Sequence, residues 1–350
     1  MTKEKFRVGL APGFLDSDGK LRFKDIGLDL LEEQPHIEYH FIKTDQPFVP
    51  AGEMRGLDAF IAFGGVYSAE TFEGADRLTL VARHGVGYDN FDLQAATEAN
   101  VMISITPRGI RHSVAEGIIA LMFALSKHVV ARDRAVRAGE WRDTIRMGVE
   151  LAGRTLGSIG IGNIGGELFR LLEPFGMRFL AYDPYASIEL AESLSVELTD
   201  LQSLLSDSDY VCVCCPLTDE TRGLIGAREF GLMKSSVFLI NTARGPIVDQ
   251  IALTEALKTK RILGAGIDVF EVEPVEPDDP LLALDNVILT PHAIAMTDEC
   301  YQNIGRTNCQ RVIQVSRGEI PDDIVNKKVL DRQGFHEKLA RYRNSFHGSR

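Results

Sequence analysis

Within TLGSIGIGNIGGELFRLL, Gly160, Gly162 and Gly165 stand in G-x-G-x-x-G spacing, with Asn163 and Ile164 between the last two glycines. The residues before them read as a strand and those after as a helix, the context in which this spacing can cradle a dinucleotide. The first glycine permits a tight turn, the second lets backbone approach a pyrophosphate, and the third lets helix pack on strand. The phosphates then face the unpaired N–H groups and positive end of the helix. RFLAYD ends in Asp183, near the interval of about 20 residues at which a ribose-binding acid is expected. A carboxylate there accepts from ribose hydroxyls and repels a 2′-phosphate, which favours NAD over NADP.

Three later apolar runs also end in polar residues. Thr242 and Arg244 lie in NTARG, Asp268 and Glu273 in GIDVFEVEP, and His292 in TPHAIA. An arginine offers a fixed fork that matches a carboxylate. A histidine can pass a proton near neutrality, and a neighbouring carboxylate holds its tautomer and stabilises the imidazolium. Singly, each has an ordinary reading: Arg244 bridging loops, Asp268 capping a turn, Glu273 as a solvated charge, His292 as a structural histidine. Jointly, at successive strand ends downstream of a dinucleotide fingerprint, they suit hydride transfer between an alcohol and a carbonyl.

The elements that must hold these residues follow from periodicity. FRVGLA, IEYHFI, DAFIAFG, LTLVAR and VMISIT read as strands, with FKDIGLDLLEE and NFDLQAATEAN as helices between some of them. SVAEGIIALMFALSKHVVARDRAVRAGEW reads as one long helix crossing between domains. A second series follows, with strands TLGSIGIG, RFLAYD, YVCVCC, SVFLIN, ILGAGID and VILTP, and PIVDQIALTEAL has helical spacing. This alternation predicts an α/β fold: two Rossmann/flavodoxin-like domains with parallel sheets and an intervening cleft. The expected division is residues 1–106 plus 298–326 for substrate, 107–297 for NAD, and a basic, aromatic segment 327–350 as an appended helix or tail. In open α/β sheets ligands sit at the carboxyl ends of strands, which would give Arg244 its purpose.

Composition narrows the class. A chain of 350 residues accommodates two domains. A net charge of −12 argues against nucleic acid or an anionic membrane as main partner. No charged-then-apolar leader opens the chain, and GIIALMFALSKHVV reads as a buried helix rather than a bilayer span. Of five cysteines, Cys212, Cys214 and Cys215 crowd one strand without C-x-x-C spacing. They read as core residues in a reducing cytoplasm, with neither disulfide nor metal site.

The chain resembles the NAD-dependent D-isomer-specific 2-hydroxyacid dehydrogenases, especially phosphoglycerate dehydrogenase-like members, from about residue 5 to 326. The resemblance is carried by ARHGVGYDNFDLQAA, TPRGIRHSVAE, GEW, TLGSIGIGNIG, YDPY, CPLTDETRGLI, NTARGPIVD, GIDVFEVEP, TPHAIAMTDE and DIVN in order. It implies that Arg244 binds the carboxylate of a 2-oxo acid and polarises its carbonyl. His292 would exchange the proton, with Glu273 orienting it. Asp268 would contact the nicotinamide amide, and Pro216 with Leu217 would line the cofactor side. Val86 and Gly87, in the loop with His84, would meet the substrate carboxylate from the other domain, and domain closure would exclude water. A homodimer is implied through ALSKHVVARDRAVRAGEWRD.

Two departures stand out. Ala293, Ile294 and Ala295 replace the small residues usual after the histidine and would alter the pocket lip. Arg108, Arg111 and His112 raise the expectation of a second anionic group on the substrate. The chain ends soon after DIVN, so the regulatory extension of longer phosphoglycerate dehydrogenases is not expected. Phosphoglycerate, hydroxypyruvate, glyoxylate and diacids stay open as substrates. The rival is an NAD(H)-binding interaction protein of corepressor type. Formate oxidation fits poorly, since it needs no proton donor.

Overall fold

FRVGL, IEYHF, AFIA, LVAR and MIS form β1 (Phe6–Leu10), β2 (Ile37–Phe41), β3 (Ala59–Ala62), β4 (Leu80–Arg83) and β5 (Met102–Ser104). They pair in parallel in the order β2-β1-β3-β4-β5, the flavodoxin-like order with its reversal between β1 and β3. The computed structural model describes residues 4–44, 49–142 and 147–347. Near-continuous burial of β3 to β5 is what helices on both faces of a parallel sheet require. The short helices α1 (Leu28–Glu32), α2 (Ala51–Met54) and α3 (Leu93–Glu98) belong to this first unit. Asp92 caps α3 by accepting the Ala95 N–H at 2.9 Å.

The second sheet contains β6 (Thr155–Ile159), β7 (Arg178–Tyr182), β8 (Glu197–Leu198), β9 (Tyr210–Val213), β10 (Phe238–Asn241), β11 (Gly264–Ile267) and β12 (Val287–Leu289). Its order is β12-β11-β10-β9-β6-β7-β8, all parallel. The direction of winding reverses between β6 and β9, the crevice where a doubly wound sheet binds nucleotides. Strand β8 has two residues and no apolar run to announce it.

The crossing segment is two helices. α4 (Pro107–Ser126) ends where Ser126 Oγ donates to the Met122 carbonyl and meets the Tyr210 hydroxyl. His128 follows in the left-handed region with φ 51°, and α5 (Val129–Arg137) begins after it. A residue in that region cannot continue a right-handed helix. α4 is long and apolar enough to cross a membrane by length and composition, longer than the apolar run suggested because it starts at Pro107. Its face from Val114 to Leu125 is buried in the fold.

Helices α6 (Asn163–Leu172), α7 (Ile188–Ser193), α8 (Leu201–Asp207), α9 (Ala227–Leu232) and α10 (Gln250–Lys258) accompany the second sheet. Then come α11 (Asp298–Ser316) and α12 (Gln333–His347). The chain divides into a unit of Met1–Ile110 with Thr297–Arg350 and a unit of Arg111–Met296. The segment 327–350, set apart above, belongs to the first unit. Phe335, Leu339 and Tyr342 of α12 sit in its core, and Lys338 Nζ donates to the carbonyls of Ala75, Leu78 and Ala99.

Candidate active site

After β6 the chain turns at Gly160, φ 97°, where a Cβ would press on the Cys214–Cys215 peptide at 3.0 Å. A Cβ at Gly165 would overlap the Gly160 carbonyl oxygen. At Gly162, the cap of α6, a Cβ would meet nothing within 4 Å, and no side chain caps the helix. Open space in front of the first-turn N–H groups of a helix fits a pyrophosphate. Asn163 and Ile164 form the first turn of α6. Asp183 Oδ2 accepts the Ile161 N–H and Oδ1 the Tyr185 N–H, both at 3.0 Å. The Asp183 carboxylate is thus stitched to the glycine loop, with lone pairs left over.

On the other side of the reversal, Asn241 at the end of β10 shapes the turn that carries Thr242 and Arg244. Its amide donates to the Arg244 carbonyl at 3.0 Å and its oxygen accepts the Ala243 N–H at 3.1 Å. Gly245 has no room for a side chain, because a Cβ would run into the Phe270 carbonyl. That contact sets the Arg244 turn directly against the loop after β11. There the Phe270 N–H donates to Glu273 Oε1 at 3.0 Å, and His292 Nδ1 donates to Glu273 Oε2 at 2.7 Å. Burial pushes the Glu273 carboxyl up, but the bonds from His292 and Phe270, then the charges of His292 and Arg244, bring it below its ordinary value.

Asp268 is 3% exposed and controls the loop after β12. Its Oδ1 accepts from Thr290 Oγ1 at 2.6 Å and from the N–H groups of Ala293 at 2.9 Å and Ile294 at 3.1 Å. Its carbonyl takes the His292 N–H at 2.7 Å. Burial raises its carboxyl despite those donors. Ile294 seats against Gly117 of α4, where a Cβ would come within 2.5 Å of its side chain. That residue anchors the histidine loop within the second unit. Glycine loop, Arg244 turn, Glu273 and His292 all lie at the carboxyl edge of one sheet.

Residues 119–293 match the family described as D-isomer specific 2-hydroxyacid dehydrogenase, NAD binding domain. The chain belongs to this dehydrogenase family. It is 39% identical over 312 residues to a glyoxylate reductase of Korarchaeum cryptofilum, covering 87% of this chain and 93% of that protein. A D-3-phosphoglycerate dehydrogenase of Archaeoglobus fulgidus is 41% identical over 267 residues, covering 76% of this chain and 51% of that protein. The crystal structure of a glyoxylate reductase from Paecilomyes thermophila superposes with a TM-score of 0.78 at 26% identity, covering 91% and 98% of the two chains. This dehydrogenase is accordingly an NAD-dependent oxidoreductase.

In its first unit, the loop after β4 is clamped by Arg83, which the sequence reading passed over. The guanidinium donates to the Gly87 carbonyl at 3.0 Å and to the His84 carbonyl at 2.6 Å. Among the described residues, neither the Val86 nor the Gly87 N–H has a backbone partner. His84 is 4% exposed, between the rings of Phe14, Phe63 and Tyr301, and neither ring nitrogen has a hydrogen-bond partner. Burial, then the Arg83 charge, push its imidazole down to about 3. Arg108 is exposed on the first turn of α4. In the second unit of the dehydrogenase, Arg111 lies 3.5 Å from Glu167 of α6, and His112 Nδ1 donates to the same carboxylate at 2.9 Å. Pro216 opens the loop after β9, its carbonyl accepting from Thr221 Oγ1 at 2.7 Å. All five cysteines are free thiols.

Proposed function

We propose that this dehydrogenase reduces a small 2-oxo acid, glyoxylate or hydroxypyruvate, to the D-2-hydroxy acid with NADH, through Arg244, Glu273 and His292. The observation that carries this reading is the 2.7 Å bond between His292 Nδ1 and Glu273 Oε2, in the unit that also holds the glycine loop and Arg244. NADH, when bound, would supply the hydride for C2. The Arg244 fork binds the substrate carboxylate and draws electron density toward the carbonyl oxygen. With Nδ1 held by Glu273, Nε2 is the atom that gives its proton to that oxygen, and it takes the proton back in the oxidative direction. Glu273 stays ionised and balances the imidazolium before transfer.

Gly160, Gly162, Asn163, Ile164, Gly165, Asp183, Pro216 and Thr242 hold the cofactor in this reading, and the Asp183 carboxylate supports NADH over NADPH. Asp268 keeps the histidine loop in place, and its carboxylate would hold the nicotinamide amide. The N–H groups of Val86 and Gly87, without a backbone partner among the described residues, support a role in carboxylate binding, with His84 and Arg108 contributing shape and charge. Glu167 already supplies a counterion to Arg111, which favours a monoacid over a diacid or phosphorylated substrate. We also infer a homodimer, supported by the exposed apolar residues of α5, and a cytoplasmic location, supported by the five free thiols.

The test is NADH oxidation across glyoxylate, hydroxypyruvate, phosphohydroxypyruvate, 2-oxoglutarate and bulky 2-oxo acids, repeated with His292→Ala. Turnover should be fastest on the first two and fall about 10²- to 10⁴-fold in the variant. Undiminished turnover in the variant would remove His292 from the chemistry. NADH binding without turnover on any acid would favour the interaction-protein reading.

A further inference from the structure

Tyr185 is 81% exposed, yet both ends of the residue are tied. Its N–H donates to Asp183 Oδ1 at 3.0 Å, and its hydroxyl donates to Glu220 Oε2 at 2.7 Å. Glu220 comes from the loop after β9, which Thr221 braces by accepting the Thr218 N–H at 2.8 Å and donating to the Pro216 carbonyl. Strands β9, β6 and β7 are neighbours in that order. The tyrosine–glutamate bond therefore joins the two loops that flank the glycine loop. The ring of chain closes on its inner side as well, where the Cys214–Cys215 peptide lies against Gly160 and Asp183 accepts the Ile161 N–H.

A ribose bound through Asp183 would lie at this ring. Asp183 accepts two backbone N–H groups, so part of its negative charge is already balanced by protein donors. Among the described residues Glu220 accepts one side-chain hydrogen bond, from a neutral hydroxyl. A nucleotide with free 2′ and 3′ hydroxyls can donate to either carboxylate, whereas a 2′-phosphate meets two like charges at once.

We infer that the Tyr185–Glu220 pair forms the outer wall of the adenosine ribose pocket and that Glu220 is a second carboxylate, beside Asp183, that discriminates against a 2′-phosphate. This rests on the NADH reading above. Tyr185 acts as a positioning residue: it fixes the glutamate over a pocket that a free, solvated side chain would face only part of the time.

Titration calorimetry of the full chain with NADH and with NADPH, without substrate, tests the assignment. Glu220→Gln should tighten NADPH about fivefold while NADH changes less than about twofold, the scale of an exposed charge pair. Tyr185→Phe should move NADPH the same way by about half that factor, since the glutamate is kept but released. The NADPH penalty of the wild type should shrink more steeply with added salt than that of Glu220→Gln, in which only Asp183 still repels the phosphate, a difference that a purely structural wall lacks. An unchanged NADPH-to-NADH ratio in Glu220→Gln, or equal weakening of both, would overturn the inference alone. Failure of the wild type to bind NADH at all would overturn the cofactor reading beneath it.

Discussion

At His292 the backbone lies in the left-handed region, φ 52°, which costs a non-glycine residue about 1 kcal/mol. Bonds from its N–H to the Asp268 and Thr290 carbonyls hold it there, and the turn aims the ring at Glu273. Gln in place of Glu273 keeps the size and an acceptor for His292 Nδ1 but removes the charge that balances a protonated ring. We expect Glu273→Gln to lower kcat about 10- to 100-fold with an unchanged melting temperature. Because the Glu273 pKa is depressed in the folded protein, its pairing is complete above the ordinary carboxylate value of about 4.3 and is lost only as pH falls through the lower folded value. A pH–rate profile should show no loss from this group down to about pH 5. Wild-type kcat in the variant would mean the glutamate is only structural.

The elements that carry these residues are short, and each strand end is fixed by contacts from a distant segment. Gly245 joins the turn after β10 to the loop after β11, and Asp268 joins β11 to the loop after β12. In the first unit the same principle fastens α12. Lys338 is 8% exposed and donates to three carbonyls, at 3.0, 2.9 and 2.7 Å. Tyr342, one turn on, donates to Asp58 Oδ1 at 2.9 Å, and Asp58 also pairs with Arg77. Lys338→Met keeps the length but strands three buried acceptors. Urea unfolding should register a loss of about 3 kcal/mol. Burial pulls the Lys338 ammonium down to about 8. Between that value and its unfolded value of about 10.4, the unfolded chain binds a proton that the folded one has released, so this group's contribution to stability grows as pH rises. The variant should lack that increment. Equal stability at all pH values would show that the three bonds contribute little.

For the whole molecule, the two units repeat one plan: a parallel sheet whose loops at the carboxyl edge do the work. α5 stands apart from that plan. None of its residues is buried, and Val129 and Val136 on it, with Trp141 and Met147 beyond its end, are each more than half exposed. Asp143, the last residue of the segment assigned to dimer contact, lies outside the described residues. An apolar surface of this kind is what a second copy would cover. Light scattering after size exclusion should give about twice the chain mass for the wild type and a shift toward monomer for Val136→Asp. A monomeric wild type at micromolar concentration would remove the proposed dimer.

The glycine spacing, the strand-ending Asp183, Arg244, Asp268 and His292, and the parallel character of both sheets could all be read from the sequence. Period-two apolar runs, turn glycines and capping residues such as Asp249, which accepts the Ala252 N–H, act over a few residues. What side chains do once placed depended on partners far along the chain. Glu167, 55 residues from His112, took up the Arg111–His112 cluster that had suggested a second anion. Three loop groups took one oxygen of Asp268, a ring cluster sealed His84, and α12 joined a core whose strands lie more than 200 residues earlier. Local periodicity decides which elements form. Only the packed fold decides which charges meet, because a buried or paired side chain is defined by the residues that surround it.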